Sequence, residues 1–281
     1  MGSASTGPIH FGRPRVYRLK FIGAIPPDFF VEKFMRLSLV SACLFGIATV
    51  CAAQSGAYWN YSGHTGPLVW GKLDPAYRAC SGGHQQSPLD IRGARLNKTL
   101  PPLEFHYIAG PMTVENTGRG IIARIDPGST MVADGVTYNL VELDFHHPSE
   151  HAVKGKLSDM EADLVHRTDD GKTAIVAVRL NQDRGFPNAL LATLFDHLPA
   201  ASKTTKLTDM LSAGGLLPAD RGYWTYTGSD LTPPCSESVQ WYVFENDVSM
   251  SRTQLQQFTN LYKMNTRPLQ DPHGRKIQAN E

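Results

Sequence analysis

The sequence is poor in long apolar runs, in cysteine and in charge of either sign. Lys and Arg number 27 against 26 Asp and Glu in 281 residues, a formal net charge of +1. Without a basic excess there is no electrostatic footprint for nucleic acid, and without an acidic run there is no solvating tail. Downstream of residue 53 no stretch approaches the roughly 18–20 apolar residues that a membrane-spanning helix needs. Phosphate-cradling glycine loops, CxxC pairs and serine nucleophile elbows are missing, as are internal repeats and low-complexity tracts. What is present is 41% hydrophobic and 9% aromatic residues, enough to bury a large core in one domain or two small ones.

The one pronounced apolar run, LSLVSACLFGIATVCAA, follows Met35-Arg36 and ends in small residues before Gln54. One cation, an apolar segment and Cys51-Ala52-Ala53 form the layout of a secretory signal peptide over 35–53. A single-pass anchor and a lipoprotein signal ending at Cys43 are the competing readings; the run is short for both. Met35 then reads as an initiator, and residues 1–34 as an unassigned extension. The expected working domain is 54–281, secreted or periplasmic, with no membrane span. Of four cysteines, Cys43 and Cys51 fall in the leader, and Cys80 and Cys235 remain. A single pair in an exported chain favours a disulfide over two buried thiols. Asn60-Tyr61-Ser62 and Asn97-Lys98-Thr99 are glycosylation sequons, meaningful in a eukaryotic source.

Residues 54–102, rich in Gly, Pro, Ser and Trp, read as an extended arm. From 103 onward come short alternating segments separated by Gly, Pro, Asn and Asp: LEFHYI, MTVEN, GIIARI, VTYNLVELDFHH, MEADLVHR, TAIVAVRLN and VQWYVF. Helical pattern is sparse, over 189–198, 203–213 and 251–263, where Ser251 is placed to cap. The expectation is a mainly β domain with peripheral helices.

In 137–147, Val141, Leu143 and Phe145 alternate with Glu142, Asp144 and His146, so one strand face is apolar and the other carries three polar groups. MEADLVHR repeats the pattern, with Glu161 and Asp163 on one face. Buried polar groups need partners, so such rows line a cleft, an ion site or a hydrogen-bonded network; a solvated sheet face is the plain alternative. His147 and His166 have the opposite parity and join His146 only through a bulge. His84, His106, His197 and His273 are scattered in loop-like contexts.

WNYSGHTGPLVWGKLDPAYRACSGGHQQSPLDI (59–91), FHHPSEHAVKGK (145–156), EADLVHR (161–167), YWTYTGSDLTPPCSESVQWYVF (223–244) and NTRPLQ (265–270) together resemble an alpha-class carbonic anhydrase across residues 57–276. The resemblance implies a large twisted, mostly antiparallel sheet of about ten strands, a conical cleft with a metal at its base, and a Cys80–Cys235 disulfide. It implies zinc as cofactor, CO2 and bicarbonate as substrates, and three zinc-binding histidines. At those ligand positions stand Asp144, His146 and Asp163. Glu150 and Glu161 match the family's supporting carboxylates, Glu142 replaces a glutamine, and Tyr61 matches the tyrosine of the hydrogen-bond network. Tyr226 matches another structural tyrosine.

Aligned through Ser229-Asp230-Leu231-Thr232-Pro233-Pro234, the gatekeeping threonine that accepts the zinc-hydroxide proton becomes Leu231, followed by Thr232. A charge, Asp230, replaces the leucine of the CO2 pocket. Arg119 stands where the family has a proton-shuttling histidine, and a guanidinium does not release its proton. Three neutral imidazoles leave zinc with its full charge, which in carbonic anhydrases sets the established bound-water pKa of about 7. Two carboxylates cancel that charge and favour a harder divalent cation such as Mg²⁺ or Mn²⁺. The expectation is therefore lost or strongly reduced CO2 hydration, with a binding or structural role toward a protein or glycan partner. The alternatives are hydration through a remodelled Asp/His/Asp metal site, or changed chemistry such as ester hydrolysis.

Overall fold

A computed structural model describes residues 56–182 and 186–281; the leader and extension expected over 1–53 lie outside the described residues. Eight longer strands organise the domain: β1 Gly110–Asn116, β2 Ile121–Ile125, β3 Val136–His146, β4 Met160–Arg167, β5 Thr173–Asn181, β6 Lys203–Leu211, β7 Tyr223–Ser229 and β8 Glu237–Phe244. They form one continuous path, β6-β1-β2-β3-β4-β5-β8-β7, extended by Gln278–Ala279 and Arg95–Leu96. That makes ten strands in the path, and side pairings with three short strands bring the sheet to thirteen. Pairing is antiparallel except where β8 and Val248–Ser249 join β5 and where Gln278–Ala279 joins Arg95–Leu96.

The alternation read from the sequence sets the two faces. Leu143, Phe145, Ala162, Leu164, Val176 and Val178 point to one side, into the larger core. Helix α1 (Ala189–Asp196) and helix α2 (Arg252–Leu261) close over that side through Leu191, Leu194, Phe195 and Phe258. Asn188 caps α1, and Ser251 with Gln254 makes the expected α2 cap a full capping box.

Two expectations change. Residues 203–211 are not helical: Leu207, Met210 and Leu211 mimic a helical repeat, but Thr204, Thr205 and Thr208 are β-branched, and the segment pairs with β1 as an edge strand. Met210 is 70% exposed, so the repeat never marked a buried stripe. The 54–102 arm is not extended either. It is a string of short helical turns, from Gly63–Thr65 to Ala79–Gly82, wrapped around fully buried Trp70. Trp59, Tyr61 and Trp70 meet edge to face, and Cys80 and Cys235 complete this satellite core.

Candidate active site

Strands β3 and β4 place the site. In their register Asp144 stands directly opposite Asp163, and His146 opposite Glu161. All four project to the face away from the larger core, as the period of two requires. A bulge does occur in β4, between Val165 and His166, but it lies beyond the site. It seats His166 in a buried pocket, 2.7 Å from the Tyr107 hydroxyl, where burial lowers its pKa to about 4. His147 turns to the Asp159 carbonyl, so neither histidine joins His146. His84, His106, His197 and His273 are at the surface, although His106 sits on a short strand and His197 ends α1.

His146 is held from behind. Its Nδ1 is 3.0 Å from the Asn265 carbonyl and 3.2 Å from Glu150 Oε1, while Nε2 faces Asp163 Oδ2 at 3.5 Å. Asn265 also donates to the Phe145 carbonyl and accepts from the His147 amide, pinning the end of β3. Burial alone would lower the His146 pKa; the hydrogen bond and charge of Glu150, with Asp163, outweigh it and carry the value to about 10. Glu150 takes the Arg267 amide on both oxygens, at 3.2 and 3.0 Å. The Arg267 guanidinium in turn donates to the Ser87 and Cys80 carbonyls, tying this support to the N-terminal turns.

Glu161 does not reach Asp163 with a hydrogen bond. Its two oxygens accept from the amide and Nδ1 of His151, which keeps its carboxyl ionised below the usual range despite burial. His151 Nε2 lies 2.7 Å from the Tyr226 hydroxyl, which donates to Ser87 Oγ, which accepts from the Ser229 amide. This buried chain joins β4 to the loop carrying Asp230, Leu231 and Thr232. Sequence reasoning gave no role to His151, Asn265 or Arg267, although all three stand inside the motifs that carried the resemblance.

The cleft has two connected chambers that share Glu142, Asp144, His146 and Thr232. The inner one, about 150 Å³, is walled further by Asp163, Asp230, Leu231 and Arg167. The outer one, about 240 Å³, opens past Trp59, Tyr61, Arg119 and Ile122. A larger concavity of about 550 Å³ lies elsewhere, against Asn181, Asp220 and Asp247, but the carboxyl groups of β3 and β4 meet in the smaller cleft. Arg119 stacks on Trp59, 4.2 Å from the ring centroid, at the outer rim. Glu142 is ion-paired with Arg124, which also binds Glu115. Leu231 is buried with no polar atom to offer the chamber.

Asp144 and Asp163 are the groups left over. Asp144 Oδ1 and both oxygens of Asp163 are buried and have no hydrogen-bond partner within the protein. Burial, then the neighbouring Glu142, pushes Asp144 up to about 7; burial, then Glu161, raises Asp163 well above the carboxylate range. Asp230 is raised by burial, and Tyr61 by burial and by Glu150 and Asp144.

Comparisons with known proteins agree with this architecture. The family described as eukaryotic-type carbonic anhydrase matches residues 65–281. The carbonic anhydrase of Klebsiella pneumoniae is 36% identical over 247 residues, covering 86% of this chain and 99% of its own. The dioscorin DB3S of Dioscorea polystachya is 32% identical over 258 residues, covering 86% and 93%. Among solved structures, a hyperthermostable carbonic anhydrase from a hydrothermal vent chimney superposes with a TM-score of 0.77 at 36% identity, covering 80% of this chain and all of its own. A large β-sheet scaffold with a cleft over its central strands is the class defined by the fold. The chain belongs to the eukaryotic-type, or alpha, carbonic anhydrase family.

Alpha carbonic anhydrases bind zinc, and the donor set here does not fit a three-histidine zinc site. One imidazole and two carboxyl groups stand at the three ligand positions, and aspartate is shorter than histidine by most of a ring. Among the described residues no three His, Cys, Asp or Glu side chains converge as metal ligands do.

Proposed function

We propose that this protein is an exported carbonic anhydrase-fold protein in which CO2 hydration is lost or strongly reduced and the cleft serves binding or structure. The observation that carries this reading is the opposed, unpartnered pair Asp144 and Asp163 at the two positions where the family resemblance expects zinc-binding histidines. Three further features support it. Leu231 removes the hydroxyl that would link a metal-bound oxygen to Glu150, and Glu150 is spent instead on His146 and the Arg267 amide. Arg119 offers no transferable proton at the rim. Asp230 puts a half-buried carboxyl where an apolar wall would receive CO2. Export rests on the sequence leader and accords with the Cys80–Cys235 disulfide. Among the described residues no helix is long and apolar enough to cross a membrane.

Metal analysis of the purified protein together with a CO2 hydration assay tests the proposal. Sub-stoichiometric zinc and no turnover above buffer are the expected results; stoichiometric zinc with rapid turnover overturns it. The supporting shell also makes a constructive test available. Asp144→His, Asp163→His and Leu231→Thr together restore the donor set and the missing hydroxyl around an already oriented His146, so the triple variant is expected to bind zinc and hydrate CO2. A folded triple variant with neither property would show that the divergence extends beyond these three positions.

A further inference from the structure

Most charged side chains around the inner chamber have a counterpart, and those without one lie side by side. Glu142 is ion-paired with Arg124, and Glu150 lies 3.2 Å from His146 Nδ1. Arg167 shares the chamber wall, and its charge acts on Asp230 and, more weakly than His146 and Arg124, on Asp144. Arg119 is occupied at the outer rim by its stack on Trp59. What remains is the Asp144–Asp163 pair.

Two features of that pair point to a ligand. The residues are cross-strand partners on one face, an arrangement in which like charges destabilise a sheet. Asp163 is only 1% exposed, yet neither of its oxygens has a partner within the protein; the nearest donor, His146 Nε2, stands off at 3.5 Å, beyond a well-formed hydrogen bond. Together with Asp144 Oδ1, that makes three buried acceptor atoms without a donor, on two residues that line a chamber of about 150 Å³.

We propose that the inner chamber binds a small primary ammonium ion, a protonated alkylamine, through Asp144 and Asp163. Three N–H donors on one nitrogen match three unpartnered oxygens. Hydrogen bonds of about 2.7–2.9 Å between an ammonium and carboxylates span an opposed pair whose oxygens do not converge on the about 2.0–2.6 Å bonds of a divalent metal. The alkyl group has a place to go: the outer chamber offers Trp59 and Ile122. This inference rests on the proposed loss of hydration, and names the ligand class that the altered cleft accepts.

The test uses the full protein at mildly alkaline pH, with propylammonium chloride as probe and tetramethylammonium chloride, MgCl2, MnCl2 and ZnCl2 as comparators. Propylammonium is expected to raise Tm with concentration and to give saturable heat in calorimetry, and tetramethylammonium, with equal charge but no N–H donor, to do neither. Asp163→Asn is expected to weaken propylammonium binding at least about tenfold, as loss of a charge-assisted hydrogen bond implies. The same variant, relieved of a like-charge pair, is expected to have a Tm at or above the parent's without ligand, so weak binding cannot be misread as unfolding. Equal responses to both organic cations, a response confined to the divalent metals, or no saturable binding at all would each overturn the proposal. The metal content and hydration assays report separately: failure of amine binding in a protein without zinc or turnover removes this inference and leaves the proposed function standing.

Discussion

A single side chain, Asp144, shows how the altered site affects stability. In the unfolded chain its carboxyl releases a proton near the ordinary value of about 3.9; in the fold it holds the proton up to about 7. Between those values the native state binds more protons than the unfolded one, so stability present at acid pH falls as pH rises through about 7. His146 acts in the same direction higher up, its stabilisation being complete below about 6.5 and lost as pH rises toward about 10. Asp144→Asn has no charge to develop, so its Tm should decline less between mildly acid and neutral pH than the parent's. The gain at neutral pH is a few kcal/mol at most, since each tenfold displacement of a proton equilibrium is worth about 1.4 kcal/mol. Parallel Tm–pH profiles for parent and variant would remove Asp144 from this account. Glu150→Gln takes away the anion that holds the His146 proton, so the alkaline loss of stability attributed to His146 should move to lower pH, which a Tm–pH scan of that variant measures.

Among the elements, β4 carries the most weight, paired along its length with β3 and β5 and buried at every position except Arg167. Truncation of its core face should be costly: Leu164→Ala is expected to lose about 2–5 kcal/mol in denaturant unfolding, with the slope unchanged. Ser251→Ala, which opens the α2 capping box, should cost only about 1 kcal/mol in the same measurement. The contrast between strands explains how far the sequence could be read. β3 and β4 alternate because one face meets the core and the other the cleft, and β5 is a short apolar run buried on both faces, so all three were legible within a residue or two of their ends. The edge strand β6 has no such two-sided environment, and its Leu207, Met210 and Leu211 imitated a helix. The positions facing the cleft were legible from parity and motif, but their partners were not. That Glu161 would serve His151 rather than Asp163, and that Arg267 would bridge to Cys80 and Ser87, depends on contacts between segments separated by ten to nearly two hundred residues.

At the scale of the molecule, one covalent bond joins the N-terminal turns to the loop that follows β7. Cys80 and Cys235 are 155 residues apart, so the bridge closes most of the described chain into one loop. On a chain-entropy estimate such a closure is worth about 5 kcal/mol, and removal of native disulfides commonly costs about 2–5 kcal/mol. Reduction, or a Cys80→Ala/Cys235→Ala double variant, should lower Tm substantially; an unchanged Tm would show that the packing of Trp70, Tyr61 and Tyr77 holds the N-terminal turns without it. The bridge also stands beside the cleft's support, because Cys80 offers its carbonyl to Arg267, whose amide holds Glu150. Loss of the disulfide is therefore expected to reach the site as well as the global stability.

The stack of Arg119 on Trp59 makes the protein its own optical gauge. Indole emission shifts in colour and intensity with the charge and water around the ring, and Trp59 sits at the rim with a guanidinium 4.2 Å from its centroid. Trp70 and Trp241 are sealed in the interior and Trp224, beside Arg179, lines neither chamber, so a change at the entrance of the cleft is reported by Trp59. A solute that passes the rim must disturb that pair, and the emission of an unlabelled sample then records both how tightly and how fast the cleft fills.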